Sequence, residues 1–373
     1  MANLGRVVHE LRNAGAMSRS DVARRVGISL PTAHRLVSDL ADLQLVEQES
    51  PESGSSRLGR PPVVYRFRED AALLAGIDIG NETTRLAVTT LAGRVVASQA
   101  VISEALGRDL AGILAGKISD AVGSAGLGLD HLAGVGAGVA SAVDADGILR
   151  GPPIHKHWDG LALRGELAGQ LGCDVAVAQD DHLSPIAESS AGGTFPGSSS
   201  LLVLEIGRGI GVGMTLGGVP VSGARNRFGR IAGWPVTNSA GTGHGTLGQY
   251  LVTGGLVSQY HEAGGSTGVR DGAALAAAAR SGDSRAQQVF AWAAIQIADI
   301  VTRLHQLCDP QAVVLGGGMA RAFDLLEPVM FPLLPTELKV ARSVLGEQAV
   351  VTGAVLTAGS FVENWLHKRL ARA

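Results

Sequence analysis

Residues 19–40 carry the pattern of a helix-turn-helix, and this pattern restricts the fold more than any other feature of the chain. A first helix would bury Val22, Ala23 and Val26, because these positions share one face at helical spacing. Gly27 follows as the turn residue, since a residue without Cβ adopts a left-handed conformation at little cost. The segment therefore predicts two short helices joined by a tight turn.

The second helix would begin after Ser29, whose side chain caps it, with Pro31 where an early helical proline is tolerated. Three apolar residues return to the core at helical spacing: Leu36, Val37 and Leu40. Thr32, His34 and Arg35 then face outward near the helix start, where a recognition helix meets the major groove. We predict DNA contacts from Ser29, from Pro31 and from these three residues. An ordinary surface pair of helices is the alternative.

Two short strand patterns follow the helix pair. Residues 45–49 alternate like a strand, and residues 63–67 are rich in β-branched and aromatic side chains. A polar loop rich in Ser and Gly joins them. Two strands with a long tip, directly after a recognition helix, predict a winged helix-turn-helix.

The tip of the predicted wing is basic. An arginine favours the negative potential of a narrow minor groove, and a Gly-Arg-Pro sequence keeps the backbone slim and extended. Candidates for minor-groove contact are Arg57, Gly59, Arg60 and Pro61. The alternative is a flexible basic loop that touches only phosphates.

The charge balance argues against general binding to polyanions. Residues 1–68 hold ten Arg, no Lys and seven acidic residues, and the whole chain has a net charge of −3. One such module makes too few contacts for specific binding. We therefore expect a double-stranded DNA operator with an inverted repeat, bound by a homodimer or homotetramer. The apolar helix predicted over residues 284–307 is our candidate for part of the oligomer surface.

The size and composition indicate two or three domains of an α/β protein. The chain has 373 residues, and its 52 Gly residues cluster in short runs after apolar strands. Cys173 and Cys308 lie far apart and are expected to be reduced core residues. We find no signal peptide pattern and no uninterrupted apolar run long enough for a bilayer. We expect a cytoplasmic protein with no membrane partner.

The larger part of the chain repeats one theme of three strands, a helix and a further strand. The first copy lies at residues 76–80, 85–91, 95–101, 108–123 and 135–139. The second lies at residues 200–206, 211–216, 219–221, 284–307 and 312–315. Two such copies predict two similar α/β lobes facing a cleft. We place the winged helix at 1–68, a connector at 69–75, the first lobe at 76–188 with 355–373, and the second lobe at 189–354.

Glycine-rich turns follow several of these strands. In such a fold, the tight hairpin after the first strand of each lobe grips nucleotide phosphates through backbone N–H groups. Residues 78–80 and 207–213 are the candidates, and residues 316–318 would lie by the nucleoside. The alternative is that these glycines only make tight turns.

Together these features resemble the ROK family (repressor, open reading frame, kinase) over nearly the whole chain. Residues 59–61 are similar to the wing motif of its regulators, and residues 76–80, 207–213 and 315–318 are similar to its phosphate and nucleoside loops. The resemblance implies an α/β fold, in which a winged helix-turn-helix precedes a two-lobed, actin-like and sugar-kinase-like body. Asp180 matches the aspartate that ROK kinases use as general base on a sugar hydroxyl.

Several residues depart from the family's pattern. Glu82 replaces a hydroxyl that would sit by phosphate, and like charges there repel. Arg208 enters the Gly-Thr-Gly of the second loop. The sugar-binding Glu-x-Gly-His motif aligns with residues 230–233, so that Arg230 replaces its Glu and Gly233 its His. A further sugar-contacting Asn aligns with Ile154.

The family's cysteine-rich zinc cluster aligns with residues 240–249, which contain no cysteine. His244 alone cannot hold tetrahedral zinc. Kinase activity needs the phosphate loops, the sugar clamp and the base together, and of these the base is retained. We therefore predict no catalytic residue, no cofactor and no metal.

The resulting prediction is a transcriptional regulator, a repressor by family default, with a non-catalytic body that dimerises and senses a sugar-derived effector. An active ATP-dependent sugar kinase fused to a DNA-binding domain is one alternative, and a body that only dimerises is another.

The predicted effector is anionic, such as a sugar phosphate or sugar acid. Arg230 and Arg208 add positive charge, and His155, Lys156 and His182 fall on segments that line the family's cleft. The effector-binding candidates are Asp180, Arg230, His155 and His182. Alternatively, Arg230 pairs internally with Asp180 or Glu82 and closes the pocket.

Overall fold

The computed structural model describes residues 2–49, 63–150 and 156–371. The predicted contact residues that lie outside these ranges are Arg57, Gly59, Arg60, Pro61 and His155. The described residues form an N-terminal domain with a small three-stranded sheet and two lobes, each built on a five-stranded sheet.

The N-terminal domain is the predicted winged helix-turn-helix. Its elements are α1 (Ala2–Ala14), β1 (Met17–Ser18), α2 (Arg19–Val26), α3 (Leu30–Asp42), β2 (Val46–Glu49) and β3 (Val64–Phe67). The strands form an antiparallel sheet in the order β1-β3-β2. β2 and β3 therefore follow the helix pair, as the pattern of the sequence predicts, whereas β1 precedes it.

Capping and one glycine explain the two short helices. The Ser18 hydroxyl accepts a hydrogen bond from the Asp21 N–H at 3.1 Å, and the Ser29 hydroxyl accepts one from the Thr32 N–H at 3.3 Å. Gly27 ends α2 with a φ of 68°, a left-handed conformation that favours glycine. Most of the predicted core residues are buried, namely Val22, Ala23, Val26, Val37 and Leu40, and Leu36 is half-buried.

The first lobe starts with an antiparallel meander and continues with parallel strands. Its elements are β4 (Leu73–Ile79), β5 (Thr83–Thr90), β6 (Val95–Ile102), α4 (Leu110–Ser124), β7 (Leu132–Val139), β8 (Ala142–Val143), β9 (Leu149–Arg150), α5 (Leu163–Leu171), β10 (Asp174–Gln179) and α6 (Asp180–Glu188). The large sheet has the order β10-β7-β4-β5-β6, with β4, β7 and β10 parallel. β8 and β9 form a separate hairpin.

The second lobe repeats this plan. Its elements are β11 (Leu201–Ile206), β12 (Ile210–Leu216), β13 (Val219–Pro220), β14 (Pro235–Thr237), β15 (His244–Thr246), α7 (Leu247–Tyr250), α8 (Thr253–Glu262), α9 (Gly272–Arg280), α10 (Ser284–Cys308), β16 (Ala312–Gly316), α11 (Phe323–Met330) and β17 (Lys339–Arg342). The sheet has the order β13-β12-β11-β16-β17, with β11, β16 and β17 parallel. β14 and β15 form a hairpin.

The two large sheets share one topology, which confirms the predicted internal repeat. In each sheet, the first three strands of the lobe form an antiparallel meander (β4-β5-β6 and β11-β12-β13). Two later strands lie on the other side of the first strand and run parallel to it (β7 and β10, and β16 and β17). Because parallel strands end at the same edge of a sheet, the functional loops of each lobe collect at that edge. The loops after β4 and β11 both line one cleft between the lobes.

After β17 the chain returns to the first lobe as α12 (Ala349–Ala358). Two strand glycines let this helix lie against the sheet, because a Cβ on Gly76 or Gly136 would collide with carbonyl oxygens of α12. The C-terminal part of the first lobe therefore begins with α12 at Ala349, six residues before the predicted boundary at residue 355. At the other end, β4 starts at Leu73, inside the predicted connector 69–75.

The C-terminal helix α13 (Val362–Leu370) packs the N-terminal domain onto the body. One apolar cluster contains buried residues of α1, α12 and α13, among them Leu4, Val7, Val355, Ala358, Val362, Trp365 and Leu366. A Cβ on Gly5 of α1 would collide with the Glu363 carboxylate. The two domains therefore share a hydrophobic core.

The apolar stripe of α10 builds the core of the second lobe. Its buried members are Val289, Ile297, Ile300, Val301 and Leu304, and Trp292 is half-buried against them. These side chains are covered by their own lobe, so the stripe is not available to a second subunit, and the predicted part of α10 in an oligomer stays a prediction. The large apolar side chains that α10 exposes are Ile295 and Leu307.

One helical run among the described residues, Gly346–Leu370, is long and apolar enough by composition to cross a membrane. From the sequence we expected no apolar run long enough for a bilayer. The segment contains α12 and α13, which pack on β4, β7 and the N-terminal domain. A helix in the core of a folded domain can be equally long and apolar, and the packing of α12 and α13 indicates that this run is such a core helix.

Candidate nucleic-acid interface and interlobe cleft

Helix α3 exposes His34 and Arg35 near its start. Among the residues that the structure describes, no ion pair engages Arg35. Pro31 is also exposed, whereas the hydroxyls of Ser29 and Thr32 lie 2.7 Å apart and hold the cap. Four of the five predicted contact residues are thus exposed at the start of α3, and Thr32 is half-buried.

Arg19 fixes the position of α3 against the wing, a role that the sequence did not suggest. Its guanidinium lies 4.7 Å from the centre of the Tyr65 ring and donates a hydrogen bond to the Ser38 hydroxyl at 3.2 Å. A cation over an aromatic face is attracted by the ring quadrupole. The contact therefore links α2, α3 and β3.

The cleft between the lobes has a volume of about 1050 Å³. Three carboxylic acids reach it from the C-terminal ends of strands: Asp78 of β4, Asp180 directly after β10, and Glu205 of β11. Asp181 lies beside them. The strand topology of both lobes thus brings acids from distant parts of the sequence to the floor of one cleft.

Burial and mutual repulsion raise the pKa of these acids. Loss of solvent raises the pKa of Asp78 to about 6, although the Arg85 guanidinium, 3.7 Å away, opposes the change. Loss of solvent also raises the pKa of Glu205 to about 7, with the charges of Asp181 and Asp78 adding to it. The pKa of Asp180 is raised well above its usual value, first by burial and then by Asp181.

An ion pair joins the two candidate phosphate loops. Glu82, in the turn after β4, pairs with Arg208, in the turn after β11. Among the described residues, no ion pair joins Arg230 to Glu82 or to Asp180, the two partners of the alternative in which Arg230 closes the pocket. Both side chains line the cleft, which remains open beside them.

A second set of ion pairs crosses the cleft at the start of the C-terminal helical run. Glu347 pairs with Arg85 of β5 in the first lobe and with Arg321 in the second lobe. A buried carboxylate, Glu188, supports this loop by accepting a hydrogen bond from the Ser343 hydroxyl. Because the residues come from segments far apart in sequence, the pattern of the chain did not single them out.

The predicted cleft residues do not all reach the cleft. Asp180 and Arg230 line it, whereas His182 and Lys156 are not among its lining residues. The His182 ring is 4 % exposed, and its Nε2 lies 3.3 Å from the Phe228 carbonyl oxygen, so it packs inside the protein. Of the predicted effector-binding residues that the structure describes, Asp180 and Arg230 thus line the cleft and His182 does not.

Hydrogen bonds hold the hairpin where the family has its zinc cluster. Asn238 Oδ1 accepts from the N–H groups of Thr242 and Gly243, both at 3.0 Å. Gln259 accepts from the Ser239 N–H at 2.6 Å. In the described part of the chain, no group of three or more His, Cys, Asp or Glu side chains is placed to hold a metal ion. The amide side chains of Asn238 and Gln259 thus hold the backbone of this hairpin.

Two family models match the chain. The ROK family model matches residues 74–358, and a model of the IclR helix-turn-helix domain matches residues 11–50. The first covers the two large sheets and α12, and the second runs from the end of α1 through β1, α2, α3 and β2.

The relatives include regulators and kinases. A transcriptional regulator of Mycobacterium tuberculosis is 27% identical over 83% of this chain and 73% of its own length. A kanosamine kinase of Amycolatopsis mediterranei is 29% identical over 61% of this chain and 77% of its own.

The fold of the whole chain is also known from a solved structure. A ROK family transcriptional regulator, described as a homologue of the Escherichia coli MLC protein, covers 100% of this chain and 98% of its own, with a TM-score of 0.80 at 21% identity. At that identity the match establishes the fold. The protein belongs to the ROK family, and it carries a helix-turn-helix domain in front of the ROK body.

Proposed function

We propose that this chain is a sequence-specific, DNA-binding transcriptional regulator that acts in the cytoplasm and represses its target genes. The observation that carries the proposal is the exposed start of α3, where no ion pair of the described residues engages Arg35. A guanidinium presents two parallel donors that fit the major-groove edge of guanine. The similarity to a regulator over most of both chains supports the same function.

The regulator binds as a homodimer or as a homotetramer. One recognition helix makes too few contacts for specific affinity, whereas two copies related by a two-fold axis read half-sites about 10 base pairs apart. The operator is therefore an inverted repeat.

Selection of bound duplexes from a random pool tests this function. We expect enrichment of an inverted repeat, and Arg35→Ala should weaken binding to that repeat by about 1–3 kcal/mol. Arg303→Ala is the matched control, since Arg303 is an exposed arginine on α10. If the selection enriches no sequence, the proposed function is wrong. If Arg35→Ala binds the repeat as tightly as the wild type at every salt concentration, Arg35 does not read a base.

The cleft binds a ligand but does not transfer phosphate. Phosphoryl transfer depends on positioning and on neutralising the charge of the phosphates. Here the Glu82 carboxylate and its partner Arg208 stand in the two loops that would hold them. A carboxylate repels phosphate, and the arginine is already engaged.

The ligand is anionic. Among the described residues, no ion pair engages Arg230 or Arg342, although both are exposed and line the cleft. An unengaged guanidinium is suited to a carboxylate or phosphate. A sugar phosphate or sugar acid has such a group.

The helical run after β17 offers a route from the cleft to DNA. Its first turn carries Glu347, which pairs with an arginine of each lobe, and its last turns pack in the core of the N-terminal domain. Packed cores shift between discrete arrangements rather than deforming gradually. A ligand that alters the Glu347 pairs therefore acts on the position of α3.

A sugar kinase is the second candidate, because Asp180 lines the cleft where the family's base would act. The purified protein should show no ATP-dependent phosphorylation of glucose. Phosphorylation that Asp180→Asn abolishes would establish the kinase instead.

A further inference from the structure

The four edge strands of the two large sheets, β10, β6, β13 and β17, differ in their protection. An edge strand offers unpaired N–H and C=O groups to another chain, and charges, prolines or short strands usually prevent such pairing. β13 has two residues, one of them a proline, and β17 carries a charged residue at each end. Asp174, at the start of β10, accepts hydrogen bonds from Asn364 and Lys368 of α13. Three of the four edges are therefore protected.

The fourth edge, β6, has none of these features. Residues 95–102 read Val-Val-Ala-Ser-Gln-Ala-Val-Ile, without a charge or a proline. In the part of the chain that the structure describes, β5 is the only strand that pairs with β6. Two large apolar side chains of this strand are exposed, Val95 at 57% and Ile102 at 69%. Such an edge is suited to pairing with a further strand.

The two faces of β6 can be told apart by their contacts. Ala97 and Val101 pack against the core that α4 covers, and Lys117 of α4 lies 3.5 Å from the Gln99 amide oxygen. Side chains alternate along a strand, so the other face carries the remaining even positions. The pairing with β5 is irregular beside Ala97, and this bulge puts Val95 on the same outer face. The outer face consists of four exposed residues: Val95, Ser98, Ala100 and Ile102.

This outer face is self-complementary in one antiparallel register. A two-fold axis that pairs two copies of one edge stands perpendicular to the sheet, so residues of the same face lie opposite each other. The axis must then pass beside a single residue. With Gln99 at the axis, Ser98 lies opposite Ala100 of the other copy. The bulge then brings Val95 opposite Ile102, so that the two exposed apolar side chains cover each other.

Charged residues of opposite sign flank the strand. Arg94 precedes it and Glu104 follows two residues after its end, and both are exposed. Among the described residues, no ion pair engages either side chain. In the register centred on Gln99, Arg94 of one copy lies near Glu104 of the other at both ends. Opposite charges across an interface favour that register, even where they add little affinity.

We propose that β6 pairs antiparallel with β6 of a second copy of this chain, with Gln99 at the two-fold axis. The two five-stranded sheets then form one sheet of ten strands. This inference rests on the proposed homodimer and assigns its contact surface. Arg94 shares a groove with Glu47 and Arg66 of the N-terminal sheet, so each end of the paired strands lies beside an N-terminal domain. The same axis therefore relates the two α3 helices, as an inverted repeat requires.

Sedimentation of the full chain with paired charges tests the contact. Ser98→Glu with Ala100→Glu puts like charges directly opposite each other, which should raise the dimer dissociation constant at least about tenfold. Ser98→Lys with Ala100→Glu puts opposite charges at the same positions and should restore the dimer. The control, Ala273→Glu with Ala277→Glu, adds two charges at exposed positions of α9 and should leave the dimer unchanged.

Disulfide formation tests the register. Cα atoms of directly opposite residues lie about 4.5–5.5 Å apart in an antiparallel pair, within the span of a disulfide. Residues two positions out of register are about 7–8 Å apart, which is too far. Gln99→Cys should therefore cross-link two copies under mild oxidation, and Ser98→Cys should not. The wild type, with Cys173 and Cys308, gives the background.

The outcomes separate this proposal from the general function. A dimer that Ser98→Glu with Ala100→Glu leaves intact would overturn the β6 contact but keep the homodimer, and cross-linking by Ser98→Cys instead of Gln99→Cys would overturn the register. A wild type that is monomeric both free and on its inverted repeat would overturn the proposed homodimer itself. Circular dichroism establishes that each variant is folded, and the cysteine variants test the contact without added charge.

Discussion

The guanidinium of Arg208 pairs with the carboxylate of Glu82 across the cleft. Each residue departs from the ROK pattern, and each alone would leave a charge beside the glycine-rich loops. The two side chains are 61% and 60% exposed. An exposed pair contributes about 0.2–1 kcal/mol, because water screens it and two side chains lose freedom. The pair therefore controls which charges a ligand meets more than it holds the lobes together.

A double-mutant cycle measures this pair. Chemical unfolding of Glu82→Thr, Arg208→Thr and the double variant should give a coupling energy of about 0.2–1 kcal/mol. Calorimetry with tripolyphosphate adds a functional readout. Glu82→Thr should bind it more tightly than wild type, because Arg208 is then free. Asp299→Thr, which frees Arg303 on α10, is the control. Unchanged phosphate binding in Glu82→Thr would contradict the prediction.

The wing tip lies outside the described residues, and its role stays a prediction from sequence. Arg60→Ala should weaken binding most on operators with A·T-rich flanks, because a narrow minor groove attracts arginine. Gel-shift titrations on A·T-rich and G·C-rich flanks compare the losses. An equal loss on both would mean that Arg60 contacts phosphate alone.

The hairpin of β14 and β15 should be stable without metal. Gln259 is 3% exposed, accepts from the Ser239 N–H and donates to the Tyr250 carbonyl at 2.9 Å. Gln259→Ala leaves the Ser239 N–H and the Tyr250 carbonyl without this partner, which should lower the free energy of unfolding by about 1–3 kcal/mol for each group.

Urea unfolding with and without a chelator measures this cost, with the exposed Gln306→Ala as control. A chelator should change nothing. One zinc per chain by metal analysis would contradict the prediction.

Stability should depend on pH through the cleft acids. The folded protein holds a proton on Asp78 up to a pKa of about 6, whereas the unfolded chain releases it near pH 4. Between these values the folded state binds more protons, so this group's contribution to stability is lost as pH rises. The difference corresponds to about 3 kcal/mol.

The measurement is the unfolding free energy of wild type minus that of Asp78→Asn, at several pH values from 4 to 7.5. This difference should fall as pH rises, while the same comparison with Asp146→Asn should stay flat. A difference that rises with pH would show that Asp78 is stabilised as its anion.

Local patterns were enough to predict much of the architecture. The caps at Ser29 and the turn at Gly27 depend on neighbours within a few residues, and the predicted strands of both lobes differ from the observed ones mainly at their ends. The apolar stripe of α10 did not reveal what covers it, because such a stripe has the same pattern whether its own lobe or a second subunit packs on it. The stripe packs in its own lobe, and a role of the rest of α10 in an oligomer stays a prediction.

The candidate site was predicted only in part. Asp180 and Arg230 line the cleft as expected, since they follow motifs with a known place in the fold. His182 shares a segment with Asp180 but turns into the interior, because successive residues at the start of a helix point in different directions. Glu205 lies in an apolar strand and was not predicted, because nothing in the sequence indicated which acids it would meet.

The sequence by itself determined the helix-turn-helix, the repeated strand order and the change of charge in the phosphate loops, because each is encoded within a short segment. Tertiary structure alone decided that Glu82 meets Arg208, that Glu347 bridges both lobes and that four acids share one floor. These contacts join residues on separate segments, and parallel strands bring them together only when both sheets have folded. The electrostatics of the cleft therefore follow from topology rather than from any motif.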